Sequence, residues 1–336
     1  MSKTRVWPKT SANTPVWLVT GASGYLASEL CRRIKADLPH VHLIASDAKP
    51  PAHKAFDEFL VGSLDEPGNE VVREIGGNRI DLVVHLAGVA VEGWCHEHPI
   101  ETCESNIRSV YLLLEAARRS TRGTRFILST TDKVYGRDAS AADPYCEDDP
   151  LLPKNIYETS KVCADLIAQS YSLAYGLPLA IVRFSNIYGG VDRNSSRLFP
   201  AAIERLEAGL APKLRLTADG AEYTRDFIHI CDVVDGVMKV AEGLLASDPR
   251  VVGEAFNISS GREYRVRDVL EEIIADCKPG ARYREVKGGV DYLEIVNQCA
   301  SNEKMRRVLG WAPKVTLTEG LRRMRAALAE RSRLAS

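Results

Sequence analysis

VWLVTGASGYLASELCRRI, residues 16–34, decides how the rest of the chain is read. Five largely apolar residues run into two glycines three apart, Gly21 and Gly24, with Ala27 three further on, and then into a segment of helical periodicity. That pattern predicts a buried strand, a tight turn and a helix whose N-terminus opens at the turn. Glycines there let the backbone approach a ligand closely, and a helix N-terminus favours the negative charge of a pyrophosphate. A glycine turn alone is weak evidence, and its context strengthens it. Asp47 follows the next apolar run, VHLIAS (41–46), 26 residues after Gly21. A carboxylate at that point can accept both hydroxyls of an adenosine ribose and repels a 2′-phosphate, so NAD is expected rather than NADP. Lys49 nearby works against that preference, and a solvated turn residue is the plainer reading of Asp47. Asp65, in VGSLDEP, is placed either to reach an adenine or to cap the helix that follows.

Outward from this unit the rhythm repeats. DLVVHLAG (81–88), RFILST (125–130) and LAIVRFSN (179–186) are further continuous apolar runs, separated by helical patterns such as 102–119, where Ile107, Val110, Leu113, Leu114 and Ala117 recur near a 3.6-residue period. Continuous apolar strands alternating with helices predict a doubly wound parallel sheet covered on both faces, an α/β fold of Rossmann type. After about residue 186 the pattern breaks into Gly- and Pro-rich turns and Arg-rich loops, while 232–258 again reads helix then strand. The expected division is therefore discontinuous: 15–186 plus about 232–258 for the dinucleotide, 187–231 and 259–336 for the substrate, and a flexible lead at 1–14. The chain has 336 residues, enough to bury a catalytic cleft, and 44 basic against 45 acidic residues give a net charge of −1, which argues against a surface built for nucleic acid. Eight cysteines without a CxxC pair read as reduced thiols and a cytoplasmic protein, and no run of about 18 apolar residues suggests a membrane span.

Tyr157-Glu-Thr-Ser-Lys161 puts a phenol and an ammonium at i and i+4, on one face of a helix predicted over 157–175. A nearby ammonium lowers the cost of a phenolate, so such a tyrosine can act as a base. With the glycine turn upstream and a Ser/Thr-rich strand end between them, the chain resembles the extended short-chain dehydrogenase/reductase family, in its branch of nucleotide-sugar epimerases and dehydratases. The likeness runs in order through TGASGYLAS, HLAG, STTDKVYG (129–136), YETSK, RFSNIYGG (183–190), YTRDFIHICD (223–232), FNISSG (256–261) and RRVLGWAP (306–313). By that resemblance Thr131 steadies the sugar oxygen being oxidised, Tyr157 takes its proton, and Lys161 holds the nicotinamide ribose while lowering the tyrosine pKa. It also implies that NAD is lined by Gly21, Ser23, Gly24, Tyr25, Leu26, Asp47, Ser63, Leu64, Asp65, Leu86, Ala87, Gly88, Asn106, Ser129, Tyr157, Lys161 and Phe184. For the nucleotide sugar it implies Val89, Asn186, Arg197, Leu198 and Arg225, with Arg225 on the diphosphate, and relatives often form homodimers through the helices near 102–119 and 157–175.

Asp132 and Lys133 separate the readings within the family. Simple 4-epimerases carry no paired acid and base after the catalytic Ser/Thr. Sugar 4,6-dehydratases typically carry Asp-Glu, and some relatives acting on CDP-glucose carry Asp-Lys, as this chain does. Once C4 is a ketone, a deprotonated Lys133 can remove the C5 proton while a protonated Asp132 supplies the departing C6 hydroxyl. The reading is thus an NAD-dependent nucleotide-sugar 4,6-dehydratase, against a 4-epimerase with the same Thr131, Tyr157 and Lys161, or a non-catalytic NAD-sensing protein. A surface Asp-Lys ion pair of little worth is the plain alternative. One departure touches the substrate: where many relatives have an Arg-Pro-Gly-Asp-like segment, this chain reads VKGGVDYLE (286–294), with Lys287 as the substitute contact. GWCHEHP (93–99) holds Cys95, His96 and His98, but neighbouring ligands on one short loop seldom converge on one ion, so no metal is expected. His85 reads as a satisfied core histidine and His229 as a packing residue.

Overall fold

The computed structural model describes residues 14–192, 194–288 and 293–335; the lead expected over 1–14 lies, but for Thr14, outside them. Seven strands form one parallel sheet: β1 Val16–Thr20, β2 His42–Asp47, β3 Glu58–Val61, β4 Leu82–His85, β5 Arg125–Thr131, β6 Leu179–Phe184 and β7 Ala255–Ile258. Their spatial order is β3-β2-β1-β4-β5-β6-β7, so the winding reverses between β1 and β4, and a crevice opens there at the carboxyl ends of the strands.

The apolar runs are continuous because both faces are covered. Trp17 and Val19 of β1 join one cluster with Leu30, Ile34, Val233 and Val237, under helices Tyr25–Asp37 and Ile230–Leu245. Val16 and Leu18 join the other with Ile75, Leu113, Leu114, Ala164 and Ala168, under helices Glu70–Gly76, Ser109–Arg119 and Ile156–Tyr175. Successive side chains point to opposite faces, so a strand between two helical layers has no polar side to show. β7 pairs in parallel with β6, which brings the 232–258 segment back to the sheet.

A third apolar cluster, with Tyr188, Phe199, Ile203, Leu214, Leu270, Ile273, Leu321 and Met324, lies under helices Leu198–Glu207, Val266–Cys277 and Leu317–Ala335. Short strands stitch it to the sheet: Asn186–Tyr188 pairs with Phe227–His229, and Thr224–Arg225 with Tyr264–Arg265. The predicted 179–186 strand therefore stops at Phe184 and Asn186 opens a separate one. Two features escaped the pattern reading. β3 is four residues long and includes Glu58, buried against Arg79 at 2.6 Å, so its sequence lacks the apolar continuity of its neighbours. The 102–119 helix is interrupted by a π-helical turn, Glu104–Arg108, because apolar spacing does not register a single extra residue in a turn. Among the described residues no helix is long and apolar enough to cross a membrane.

Candidate active site

The first wall of the crevice is the glycine turn after β1. Gly21 has φ +72°, and a Cβ on it would stand 2.8 Å from the Ala87 backbone nitrogen, so the end of β1 is pressed against the end of β4. Gly21→Ala is expected to lower the unfolding free energy by more than the ~1–2 kcal/mol of a left-handed residue, since the methyl also meets backbone; chemical denaturation of the variant measures it. The Gly24 amide donates to Gly21 O at 2.8 Å, and helix Tyr25–Asp37 begins beyond it with no side-chain cap and no acidic residue in its first turn. Its leading amides are left for water or a ligand. At the end of β2 Asp47 accepts from Ser23 N (2.9 Å), Ser23 Oγ (2.7 Å) and Lys49 N (3.2 Å), which fastens the carboxylate to the turn.

Of the other residues assigned to this wall, Leu26 packs into the core and Leu64 is buried. The Tyr25 hydroxyl donates to Gly189 O under the Arg197 guanidinium, and burial pushes its pKa up. The Ser63 hydroxyl donates to Asp65. Asn69 caps helix Glu70–Gly76 by accepting from Val72 N at 2.9 Å, so the capping alternative for Asp65 is overturned.

β4 supplies the floor. Gly88, at φ +150°, faces Asn106 so closely that a Cβ would lie 2.7 Å from Asn106 Oδ1 and 3.2 Å from Lys161 Nζ. Asn106 sits in the π-helical turn, accepts from Val89 N (2.8 Å) and donates to Val89 O (3.0 Å) and Ser160 Oγ (2.9 Å), tying the Leu86-Ala87-Gly88-Val89 segment to the helix of Tyr157 and Lys161. Ser129 donates to His85 O at 2.8 Å. His85 is satisfied on one nitrogen only: Nδ1 pairs with Thr20 Oγ1 at 2.8 Å, while Nε2 is buried with no hydrogen-bond partner among the described residues. Burial lowers its pKa to about 3 and keeps the ring neutral.

Helix Ile156–Tyr175 is capped by Asn155, which accepts from Glu158 N at 2.9 Å, and places Tyr157 and Lys161 one turn apart, both buried. Burial raises the Tyr157 pKa, and the largest downward pulls come from the Thr131 hydroxyl and then Arg197, ahead of any from Lys161. Lys161 itself is lowered to about 8, chiefly by burial, so its ammonium is held without much solvation.

Thr131 closes β5, and a 3-10 turn, Asp132–Tyr135, follows directly. Asp132 is 1 % exposed; Oδ1 faces Thr131 Oγ1 at 3.3 Å and Oδ2 is buried with no partner among the described residues. Burial, then the Asp226 carboxyl, push its pKa up to about 8 against the pull of Thr131 and Arg225. Lys133 is drawn the other way, to about 8, by burial and Arg225, with Glu294 and Glu158 opposing. Its ammonium pairs with Glu92.

On the far wall, Asn186 Nδ2 is a buried donor lacking a partner among the described residues. Arg225 is buried under Tyr223 and already donates to Thr224 O and Val296 O (both 2.8 Å) and to Glu294 (2.6 Å), which leaves Nε–H and one Nη2–H. Arg197 pairs with Asp192 at 3.1 Å at the start of helix Leu198–Glu207, and Phe184 ends β6. Lys287 lies on the strand Arg284–Lys287, whereas residues 289–292 of VKGGVDYLE fall outside the described ones. Among the described residues no three His, Cys, Asp or Glu side chains gather as a metal site. In GWCHEHP the Cys95 side chain is buried and Trp94 stacks on His98 at 4.5 Å. His229 caps helix Ile230–Leu245 through Cys231 N and packs edge-on against Tyr188.

Residues 17–259 match the NAD dependent epimerase/dehydratase family. The chain belongs to that family. Among curated relatives it is 28 % identical over 320 residues to dTDP-D-glucose 4,6-dehydratase of Bos taurus, covering 91 % of this chain and 86 % of that one. Among solved structures it is similar to DesIV, a dTDP-glucose 4,6-dehydratase of Streptomyces venezuelae with NAD and TYD bound, at 27 % identity and TM-score 0.80 over 94 % of this chain and 98 % of that one. UDP-glucose 4-epimerase of Thermotoga maritima, with UDP-glucose, shares the fold at TM-score 0.83 and 22 % identity, over 94 % and 99 % of the two chains.

The family is NAD dependent, and the left-handed turn at Gly21, the uncapped helix after Gly24 and the Asp47 carboxylate at the next strand end fit a dinucleotide cradle. Sequence reasoning missed Glu92 and Asp226. Neither lies in a local pattern: Glu92 meets Lys133 across 41 positions, and Asp226 gathers Ser185, Ser260, Gly261 and Ala300 into one buried hub.

Proposed function

We propose that this family member is a nucleotide-sugar 4,6-dehydratase using NAD, with Thr131, Asp132, Lys133, Tyr157 and Lys161 as its reacting groups. The observation that carries the reading is Asp132, a buried carboxyl whose raised pKa keeps it protonated at neutral pH, next in sequence to both Thr131 and the lysine. A 4-epimerase has no use for a protonated acid there. The bound dinucleotide would accept hydride from sugar C4 and return it to C6. Tyr157 takes the C4 hydroxyl proton, for which the neighbouring Lys161 ammonium and the positive charge of an oxidised dinucleotide would have to offset the burial that raises its pKa; Lys133 as free amine takes the C5 proton; Asp132 gives its proton to the C6 oxygen as water leaves. Lys161, against Gly88, is the group for the nicotinamide ribose.

The same proposal assigns the sheet segments 15–186 and 232–258 to the dinucleotide and 187–231 with 259–336 to the nucleotide sugar, where Asn186 Nδ2 and Arg225 offer donors. Exposed Leu166, Leu173 and Tyr175 on helix Ile156–Tyr175 support a homodimer, and the free buried thiols Cys31, Cys95 and Cys299 support a cytoplasmic setting. Arg225→Ala is expected to raise KM about 10–100-fold, the loss of a charged hydrogen bond, with a smaller change in kcat because a diphosphate is gripped alike in ground and transition states; steady-state kinetics separates the two.

Incubation with a panel of nucleotide hexoses, read by mass spectrometry, tests the function. Loss of one water from a sugar is the expected result. A new epimer at unchanged mass establishes the 4-epimerase instead, and tight NAD binding with no turnover the sensing protein.

A further inference from the structure

Among the described residues, Lys133 is the one proposed reacting group whose side chain carries an ion-pair partner the reaction scheme does not use. Its ammonium donates to Glu92 Oε1, and both side chains are largely withdrawn from water, at 17 % and 10 % exposure. Glu92 opens the short helix Glu92–Glu97 that follows the Gly88-Val89 turn, and that turn is locked by the two Asn106 bonds to Val89. Lys133 comes from the turn after β5. Two adjacent strand ends thus deliver one charge each to the same point.

The other ionisable groups facing Lys133 are already committed. Glu158, on helix Ile156–Tyr175, accepts from Lys154 N (2.7 Å) and Asn155 Nδ2 (3.0 Å). Glu294 is bonded to Arg225, which itself repels the ammonium. Asp132, in the same turn, faces Thr131. Among the described residues only Glu92 touches the amine. An ion pair this far from solvent is costly unless a function or a close fit repays it, and a lysine four flexible bonds long does not hold a base in place by itself.

We propose that Glu92 is the positioning residue for Lys133: it aims the amine at the substrate and stabilises the ammonium that forms when the C5 proton is taken. This rests on the dehydratase reading. In the step the C5–H bond breaks, its proton goes to Lys133 Nζ, and the electron pair moves toward the C4 carbonyl before the C6–O bond breaks. A carboxylate beside the new ammonium lowers that barrier and makes the amine the stronger base.

The test compares wild type with Glu92→Gln and Glu92→Asp by two readouts. The first is titration of Lys133 Nζ by NMR of lysine-labelled protein, assigned with Lys133→Met. The second is the pH profile of kcat for dehydration, together with deuterium incorporation at C5 in heavy water. In Glu92→Gln the amide no longer favours the ammonium, so Nζ should titrate about one unit or more lower, the acidic limb of the profile should move down by the same amount, and the plateau kcat should fall at least about tenfold. Glu92→Asp, which keeps the charge, should leave the limb near its wild-type position. An unmoved Nζ titration and limb in Glu92→Gln overturn the inference, even if the variant is less stable, because a structural role alone moves neither. If wild type dehydrates no nucleotide hexose, the function reading fails on its own, and the Nζ titration still decides whether Glu92 holds Lys133.

Discussion

Asp132→Asn is expected to abolish dehydration, lowering kcat by about 10²–10⁴-fold, the range for removing a placed general acid, while the variant still oxidises its substrate. The amide keeps the size and a hydrogen bond to Thr131 but has no proton to give the C6 oxygen. Thr131, Tyr157 and Lys161 are untouched, so reduced dinucleotide should accumulate on the enzyme while the sugar loses no water; absorbance near 340 nm with mass spectrometry of the sugar reads both. Dehydration at the wild-type rate would remove Asp132 from the chemistry.

The same variant makes a prediction about stability with the opposite sign. The folded carboxyl holds its proton up to about pH 8, whereas the unfolded one releases it near the ordinary value of 3.8. Between those limits the unfolded state binds fewer protons, so wild type loses stability as pH rises from about 4 to 8, on the order of 1.4 kcal/mol per unit of separation at most. Asparagine does not titrate. Asp132→Asn should therefore unfold at higher denaturant concentration than wild type at pH 7 and match it near pH 4. An inactive but stabilised variant would identify Asp132 as a group kept at the expense of the fold.

Arg183→Met should have the largest effect on stability. Arg183 is 2 % exposed and makes a bidentate pair with the fully buried Asp165 at 2.9 and 3.0 Å, while Nη1 donates to Tyr135 Oη (3.0 Å) and Glu147 O (2.9 Å). Methionine fills much of the volume but leaves the carboxylate, among the described residues, with the Gln169 and Thr130 side chains as its donors. Breaking a buried pair from one side costs about 3–5 kcal/mol, because the remaining charge has lost its compensation. Urea denaturation measures the loss, and the double variant with Asp165→Leu should recover most of it. The site should feel it too, since Tyr135 ends the turn that carries Asp132 and Lys133. A change below about 1 kcal/mol in Arg183→Met would contradict the pairing.

Much of this protein was legible along the chain because its signals are local. Two apolar residues per face and a glycine at the exit are enough to specify β1 and its turn, and Gly21 is required by contact with Ala87, two residues past the end of β4, a strand equally plain in sequence. The i to i+4 spacing of Tyr157 and Lys161 is a property of one helix. What the sequence by itself determined was the doubly wound sheet, the glycine turn with Asp47 at the next strand end, and the grouping of Thr131, Asp132 and Lys133. What only the tertiary structure decided was the state of those groups. The Asp132 pKa is pushed up because the fold buries it and brings Asp226 near from 94 positions away, and Lys133 meets Glu92, which follows the end of a different strand. Protonation depends on the distance to other charges and on the loss of water, and both are set by which segments the fold packs together, not by neighbours along the chain.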